Sequence, residues 1–184
     1  ELPAFMAKLR GRDSVTARAL EFTILCAART SEVLGCRFDE IDLQQCIWTV
    51  PGERMKGGHE HRMPLSHRAA AIVREMAAVR ISDFVFPGGR RGLPFSNMAL
   101  LMLLRDLHPG ITVHGFRSTF KDWCAEQTSY PDHVSEMALA HISADTVRAA
   151  YQRGELLQKR RELSEAWARF CGGDSGRVAK LRRA

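Results

Sequence analysis

Helical periodicity on both sides of one short segment of strand pattern restricts the fold of this sequence more than any other feature. Apolar residues recur at the three- and four-residue spacing of amphipathic helices before Asp39 and after Ser66. Between Asp39 and Pro64 the pattern changes to that of strands, and Gly57-Gly58 supplies a turn. This order predicts an α+β, mainly helical domain with a small three-stranded antiparallel sheet, because a doubly wound fold would alternate strands and helices throughout.

The individual elements follow from the same two periods and from the residues that break them. Helices are predicted at Leu2–Leu9, Val15–Ala27, Ser31–Cys36, Ser66–Arg80, Ser96–Leu107, Phe116–Gln127, Asp132–Leu139, Ala144–Tyr151 and Lys159–Phe170. Strands are predicted at Ile41–Leu43, Cys46–Val50 and His61–Leu65, with a short extended piece at Phe84–Pro87. At 184 residues, 45% of them hydrophobic, the chain can bury a sizeable core as a single domain.

Charge and composition indicate the kind of partner and compartment. A net charge of +6 makes a polyanion the natural partner, although a merely basic protein remains an open alternative. No segment approaches the roughly 20 apolar residues of a membrane span, and the first residues lack the pattern of a signal peptide. Five widely spaced cysteines argue for reduced thiols and against a disulfide framework or zinc site. We therefore expect a cytoplasmic protein without a membrane partner.

Two arginines are candidates for binding a phosphate. His114 and Arg117 lie three residues apart at a predicted helix start, where a guanidinium, an imidazole and backbone N–H groups can meet an anion. Arg29 lies at an apolar junction between two helices, where a partly buried guanidinium needs a carboxylate or phosphate partner. Glu32 can be that partner. A surface His–Arg pair and a purely structural Arg–Glu pair remain the alternatives.

Three further residues carry reactive groups in suggestive places. Lys56 lies on the glycine-rich turn of the predicted hairpin, where a lysine is either solvated or able to swing onto a leaving group. His141 follows a predicted helix, and Tyr151 follows ten residues later at the end of another. An ordinary half-buried tyrosine is the alternative for Tyr151.

Metal-binding patterns are scarce in the sequence. His59-Glu60-His61 could bind a metal, but two histidines placed on a strand in this way are expected to make a poor chelate. The sequence contains neither a zincin motif, nor a phosphate-binding P-loop, nor a cluster of carboxylates suited to magnesium. We therefore expect phosphate chemistry without a cofactor, in which side chains supply the positive charge.

Taken in chain order, these residues resemble the catalytic set of the tyrosine recombinase (phage integrase) family, most closely the integrases of prophages and genomic islands. The run Arg29-Thr-Ser-Glu-Val-Leu-Gly35 and the Leu139-Ala140-His141 stretch before Tyr151 add to the resemblance. It departs from the family at Ala28 and Ala140, near which glycine is common. The residues that carry the resemblance are Arg29, Lys56, His114, Arg117, His141 and Tyr151.

The resemblance implies a mechanism. Tyr151 attacks the scissile phosphate to form a 3'-phosphotyrosyl link and free a 5'-hydroxyl. Arg29 and Arg117 clamp the non-bridging oxygens, and His141 hydrogen-bonds the phosphate. Lys56 protonates the leaving 5'-oxygen, and His114 acts as acid and base towards the nucleophile. The carboxylate of Glu32 orients the guanidinium of its neighbour.

The resemblance also implies an organisation. Residues 1–171 form the catalytic domain and residues 172–184 a flexible basic tail, without the N-terminal core-binding and arm-binding domains of the family. The whole protein binds double-stranded DNA at an attachment site as a tetramer, with possible DNA-bending or directionality factors, whereas an isolated catalytic domain is expected to be a monomer. The last helix docks in cis or on a neighbouring protomer. A type IB topoisomerase, a non-catalytic DNA-binding module and a metal-dependent nuclease are the competing hypotheses.

Overall fold

A computed structural model describes residues 1–89, 93–96, 98–141 and 153–174, with side chains from residue 156 in the last range. Helices dominate it, and the expected mainly helical class is confirmed. The predicted helix Ala144–Tyr151 and the tail beyond residue 174 lie outside the described residues. The helices are α1 (Leu2–Arg10), α2 (Val15–Leu25), α3 (Thr30–Leu34), α4 (His67–Ala78), α5 (Ala99–Leu107), α6 (Gly115–Gln127), α7 (Asp132–Ala138) and α8 (Arg153–Cys171).

The predicted sheet is also present. Its three strands are β1 (Ile41–Asp42), β2 (Ile47–Val50) and β3 (His61–Pro64), in the order β1-β2-β3 and antiparallel throughout. The turn between β2 and β3 contains Gly58 with a φ of 70°, a left-handed conformation that glycine adopts without the penalty of a side chain. Short 3₁₀ turns at Phe38–Glu40 and Gly52–Arg54 flank the first two strands.

Helix α2 is the centre of the domain. Every residue from Ala19 to Leu25 is buried, and the helix packs against α1, α3, α4, α5 and α8. Its Phe22 ring lies 5.4 Å from that of Trp48 on β2 and 5.3 Å from that of Phe86. Helix α2 therefore joins the sheet to the surrounding helices.

A buried carboxylate lies beside these helices. Glu21 is 1% exposed and accepts hydrogen bonds from Arg10 Nε at 2.6 Å and Arg68 Nη2 at 2.8 Å. Burial by itself raises the pKa of Glu21, but the hydrogen bonds from Arg68 and Arg10 outweigh it, so that the pKa is lowered. The cluster ties α1 and α4 to α2.

Helix α8 begins at Arg153, earlier than the predicted start at Lys159, and packs against α1, α2, α7 and β3. Trp167 is fully buried, and its indole Nε1 donates a 2.8 Å hydrogen bond to the carbonyl of Ile24 in α2. Its ring also contacts those of Phe120 and Trp123 in α6. No helix among the described residues is long and apolar enough to cross a membrane.

Candidate active site

The end of α2 forms a turn that places Arg29. Ala27 adopts a left-handed φ of 46°, and the next amide, that of Ala28, donates a 3.1 Å hydrogen bond back to Thr23 O. This 6→1 bond after a left-handed residue is the Schellman pattern that ends many helices, usually with glycine at the left-handed position. The resemblance to the family marked Ala28 as a position near which glycine is common. The residue that adopts the left-handed conformation is the preceding one, Ala27.

The end of α7 repeats this turn and places His141. Ala140 adopts a φ of 51°, and His141 N donates a 2.9 Å hydrogen bond to Glu136 O. Each of the two turns therefore has an alanine where glycine would be unstrained, and each is followed within two residues by a predicted site residue. The similarity is local, because it arises from the hydrogen bonds that terminate a helix.

Arg117 in α6 joins the two helix ends. The residue is 5% exposed, and its guanidinium donates from Nη1 to Ala27 O and from Nη2 to Leu139 O, the latter at 2.8 Å. Carbonyls at helix C-termini carry partial negative charge and suit a buried cation. Burial, with a smaller contribution from the charge of Arg29, lowers the pKa of Arg117 to about 10, so it stays protonated at neutral pH.

Arg29 and Glu32 form the ion pair that the sequence predicts. Arg29 Nη1 lies 2.7 Å from Glu32 Oε1, and the Arg29 amide donates to Glu32 Oε2 at 2.8 Å. Glu32 is only 2% exposed, whereas the Arg29 side chain is 24% exposed. The guanidinium is thus fixed from its inner side and keeps donors on its outer side for an anion.

His141 lies at the exposed edge of the same cluster. Its Nε2 is 3.4 Å from Arg117 Nη2 and its Nδ1 is 2.8 Å from Glu136 Oε2. A guanidinium group only donates hydrogen bonds, and a carboxylate only accepts them. The two contacts therefore assign the ring proton to Nδ1 and the lone pair to Nε2. The structure therefore brings together three predicted site residues, namely Arg29, Arg117 and His141.

Lys56 and His114 are placed differently. Lys56 is exposed in the connection between β2 and β3, as the sequence predicts. His114 is exposed at the N-cap of α6, whereas Arg117, three residues later, points into the core. In the described part of the chain, neither side chain is joined to Arg29 or Arg117 by a hydrogen bond. Tyr151 lies outside the described residues.

Two residues missed by sequence reasoning anchor the connection that carries Lys56. Arg54 Nη1 donates a 3.1 Å hydrogen bond to the carbonyl of Glu32, and its Nη2 lies 2.5 Å from Glu40 Oε2. The same Glu40 oxygen accepts a 3.0 Å hydrogen bond from Trp48 Nε1. The start of the hairpin connection is therefore tied to α3, whose N-cap residue is Arg29. No sequence motif marked either residue, because the contact joins distant parts of the chain.

His61 on β3 is a further histidine near the cluster. Burial, reinforced by the charge of Arg160, lowers the pKa of His61 to about 4, so the ring is neutral at neutral pH. Its Nε2 is buried without a hydrogen-bond partner among the described residues. Within those residues, no three His, Cys, Asp or Glu side chains are arranged to hold a metal ion.

The domain brings two guanidinium groups and an imidazole together, with one guanidinium buried between two helix ends. Such an arrangement is chemically suited to an anion such as a phosphate. The chain belongs to the phage integrase family, whose family model matches residues 1–155. The matched range extends past Tyr151 and so includes every residue of the proposed catalytic set.

Individual relatives agree with this membership. Prophage integrase IntA of Escherichia coli (strain K12) is 32% identical over 185 residues, which cover 97% of this chain and 45% of IntA. Prophage integrase IntZ of the same strain is 34% identical, over 91% of this chain and 42% of IntZ. The integrase of Enterobacteria phage P4 is 29% identical, over 97% of this chain and 46% of its own length. The chain thus spans less than half of each of these relatives.

The fold also has a counterpart among solved structures. The crystal structure of XerA recombinase superposes with a TM-score of 0.64 and covers 86% of this chain and 63% of that chain. The sequences are only 18% identical, so the likeness concerns the fold.

Proposed function

We propose that the chain is the catalytic domain of a site-specific DNA recombinase that integrates or excises a mobile element. The observation that carries the proposal is the convergence of Arg29, Arg117 and His141 at two helix ends joined by one buried guanidinium. Two fixed guanidinium groups match the two non-bridging oxygens of a phosphodiester. Family membership and the prophage integrases among the relatives support the same conclusion.

The reaction is a transesterification at phosphorus. The phenol oxygen of Tyr151 forms a bond to the scissile phosphate while the bond from phosphorus to the 5'-oxygen breaks. The phenol proton passes to His114, and Lys56 protonates the leaving oxygen to give a free 5'-hydroxyl. The phosphodiester bond is exchanged for a phosphotyrosyl bond of similar energy, so a 5'-hydroxyl from another strand can reverse the step without ATP.

Charge stabilisation is assigned to the described cluster. Negative charge grows on the non-bridging oxygens as the fifth bond to phosphorus forms, and Arg29 and Arg117 lie beside the position where these oxygens bind. His141 hydrogen-bonds the same phosphate. Glu32 holds Arg29 in place through two hydrogen bonds. These groups are fixed before DNA arrives, which reduces the reorganisation that the transition state requires.

The whole protein is proposed to contain more than this chain. Residues 1–171 are the catalytic domain and residues 172–184 a basic tail, and core-binding and arm-binding domains precede them in the complete polypeptide. That protein assembles as a tetramer on double-stranded DNA at an attachment site. The relatives, which are more than twice as long as the segments they share with this chain, support additional domains.

A nicked suicide DNA duplex that carries the attachment site of the element tests the proposal. Cleavage beside the nick releases a short fragment that carries the freed 5'-hydroxyl. This fragment diffuses away and cannot be rejoined, so a covalent protein–DNA adduct accumulates and survives SDS. We expect an adduct from the complete protein and from Tyr130→Phe, which removes the only other tyrosine of this chain. We expect none from Tyr151→Phe.

The other outcomes distinguish the competing functions. An adduct that persists in Tyr151→Phe would exclude Tyr151 as the nucleophile. Binding without an adduct in the wild type would leave a non-catalytic DNA-binding module. Relaxation of supercoiled DNA without site-dependent exchange would indicate a type IB topoisomerase. Cleavage that EDTA abolishes would indicate a metal-dependent nuclease.

A further inference from the structure

Glu136 in α7 contacts a predicted catalytic group and yet belongs to no motif that the sequence reveals. Its Oε2 lies 2.8 Å from His141 Nδ1, and its Oε1 forms an ion pair with Lys121 Nζ from α6. The Glu136 side chain is one-third exposed, at 33%, and the hydrogen bonds from Lys121 and His141 lower its pKa. The carboxylate is therefore ionised at neutral pH and available as an acceptor.

Lys121 also contacts two other residues of α7. Its ammonium group lies 2.5 Å from Asp132 Oδ1 and donates a 3.0 Å hydrogen bond to Ser135 Oγ. As a basic residue of a basic chain, Lys121 is also a candidate for contacting the DNA backbone. In the structure its charge is directed instead at the two carboxylates of α7, and it binds the Glu136 oxygen that does not contact His141.

The ring of His141 has two distinct neighbours. On one side Arg117 Nη2, a donor only, lies 3.4 Å from Nε2, and on the other the Glu136 carboxylate, an acceptor only, lies 2.8 Å from Nδ1. An imidazole satisfies both only with its proton on Nδ1, and the bond made by one nitrogen sets the role of the other. Without Glu136, nothing in the described cluster would accept that proton.

Exposure makes this contact necessary. The side chain of His141 is 48% exposed and follows a left-handed residue, so packing alone leaves its ring free to rotate. A bond to Glu136 fixes the ring plane and directs Nε2 towards Arg117. A ring that carries protons on both nitrogens would in this orientation present Nε2–H to a phosphate oxygen, with the Glu136 carboxylate beside Nδ1 to balance the charge.

We propose that Glu136 is the positioning residue of His141: it keeps a proton on Nδ1 and fixes the orientation in which Nε2 faces the scissile phosphate, and Lys121 binds the other carboxylate oxygen of Glu136. That His141 contacts a phosphate rests on the proposed function. The contacts of Glu136 with His141 and Lys121 are independent of that function.

Two measurements test this inference. The first is the ¹⁵N chemical shifts of the His141 ring in the 184-residue chain without DNA, at a pH where the ring is neutral. We expect the Nδ1–H tautomer in the wild type and in Glu136→Gln, whose amide oxygen can still accept. We expect Glu136→Ala to move towards the Nε2–H tautomer. Asp132→Asn is the matched control, because Asp132 contacts Lys121 but not His141.

The second measurement is the rate of adduct formation on the suicide duplex with the complete protein. Loss of a group that orients a metal-binding histidine lowers activity by about 10- to 100-fold, and by analogy we expect a loss of this size for Glu136→Ala. Glu136→Gln should recover most of the rate, and Asp132→Asn should stay within about twofold of the wild type.

The outcomes separate this inference from the proposed function. An unchanged tautomer in Glu136→Ala, or an adduct formed at the wild-type rate, would overturn the role of Glu136 even if the protein is a recombinase. If the wild type forms no adduct at all, the proposed function fails, and the shift of tautomer in Glu136→Ala then decides alone whether Glu136 positions the ring.

Discussion

Replacement of Ala140 by glycine should stabilise the protein, although it removes a methyl group. Ala140 has a φ of 51°, and an L-residue in the left-handed region costs roughly 1–2 kcal/mol that glycine does not incur. Glycine also gains freedom in the unfolded chain, which opposes the change by about 0.4–1 kcal/mol. Since Ala140 is only partly buried, little apolar burial is lost. The free energy of unfolding should therefore rise by about 0.5–1 kcal/mol for Ala140→Gly.

Two matched substitutions of the same chemistry should behave differently. Ala27 has a φ of 46° but is 3% exposed, so the loss of its methyl costs about 0.8 kcal/mol and should cancel most of the gain. Ala138 is helical and partly buried, and glycine there should lower the free energy of unfolding by about 1 kcal/mol. The expected order of stability is thus Ala140→Gly, then Ala27→Gly, then Ala138→Gly.

Urea unfolding followed by circular dichroism measures these differences. The midpoint should move while the slope with urea stays constant, because the surface exposed on unfolding hardly changes. An Ala140→Gly variant that is destabilised as much as Ala138→Gly would refute the reasoning from the left-handed turn.

Three further perturbations probe other parts of the structure. Glu21→Gln should lower the free energy of unfolding by about 3 kcal/mol, measured by urea unfolding, because Arg10 and Arg68 lose their charged partner beside the core. Because the pKa of His61 is lower in the folded chain, the unfolded chain takes up a proton first as the pH drops from about 6.5 to about 4. The free energy of unfolding should therefore fall over this range, by about 3 kcal/mol in full. Urea unfolding repeated across the range should show no such loss in His61→Gln. Arg117→Lys should slow adduct formation by about 100-fold or more, because an ammonium group cannot bridge two carbonyls and a phosphate as a guanidinium does. A Lys variant with the wild-type rate would contradict this assignment.

Local patterns predicted much of the fold. The change of period between Asp39 and Pro64 predicted the sheet, because alternation and turn residues act over a few neighbours. The pairing of Arg29 with Glu32 was likewise predictable, since the two side chains are three residues apart across a helix start. The helix boundaries were less accurate. For example, α8 begins at Arg153 rather than at Lys159.

Tertiary contacts account for what the sequence did not reveal. Glu136 and Lys121 belong to different helices, and Arg54 meets Glu40 only once the hairpin connection folds against α3. The burial of Arg117 was also not predictable, because a helix-start arginine next to a histidine suggests a surface position. Its acceptors are main-chain carbonyls, which every residue has and which leave no mark in the sequence.

The hydrogen bonds from Arg117 to Ala27 and Leu139 mean that tertiary packing determines the distance between the two helix ends of the site. Arg29 follows one of the joined helix ends and His141 the other, so the gap between them is set when Arg117 of α6 bonds to the ends of α2 and α7. A phosphate then meets a spacing that exists before it binds, and the entropy of arranging these groups is lost during folding rather than during binding. The converse also holds: any motion that separates α2 from α7 breaks the bridge and dismantles the site at once. Phosphate binding and the packing of these two helix ends around Arg117 should therefore stabilise each other.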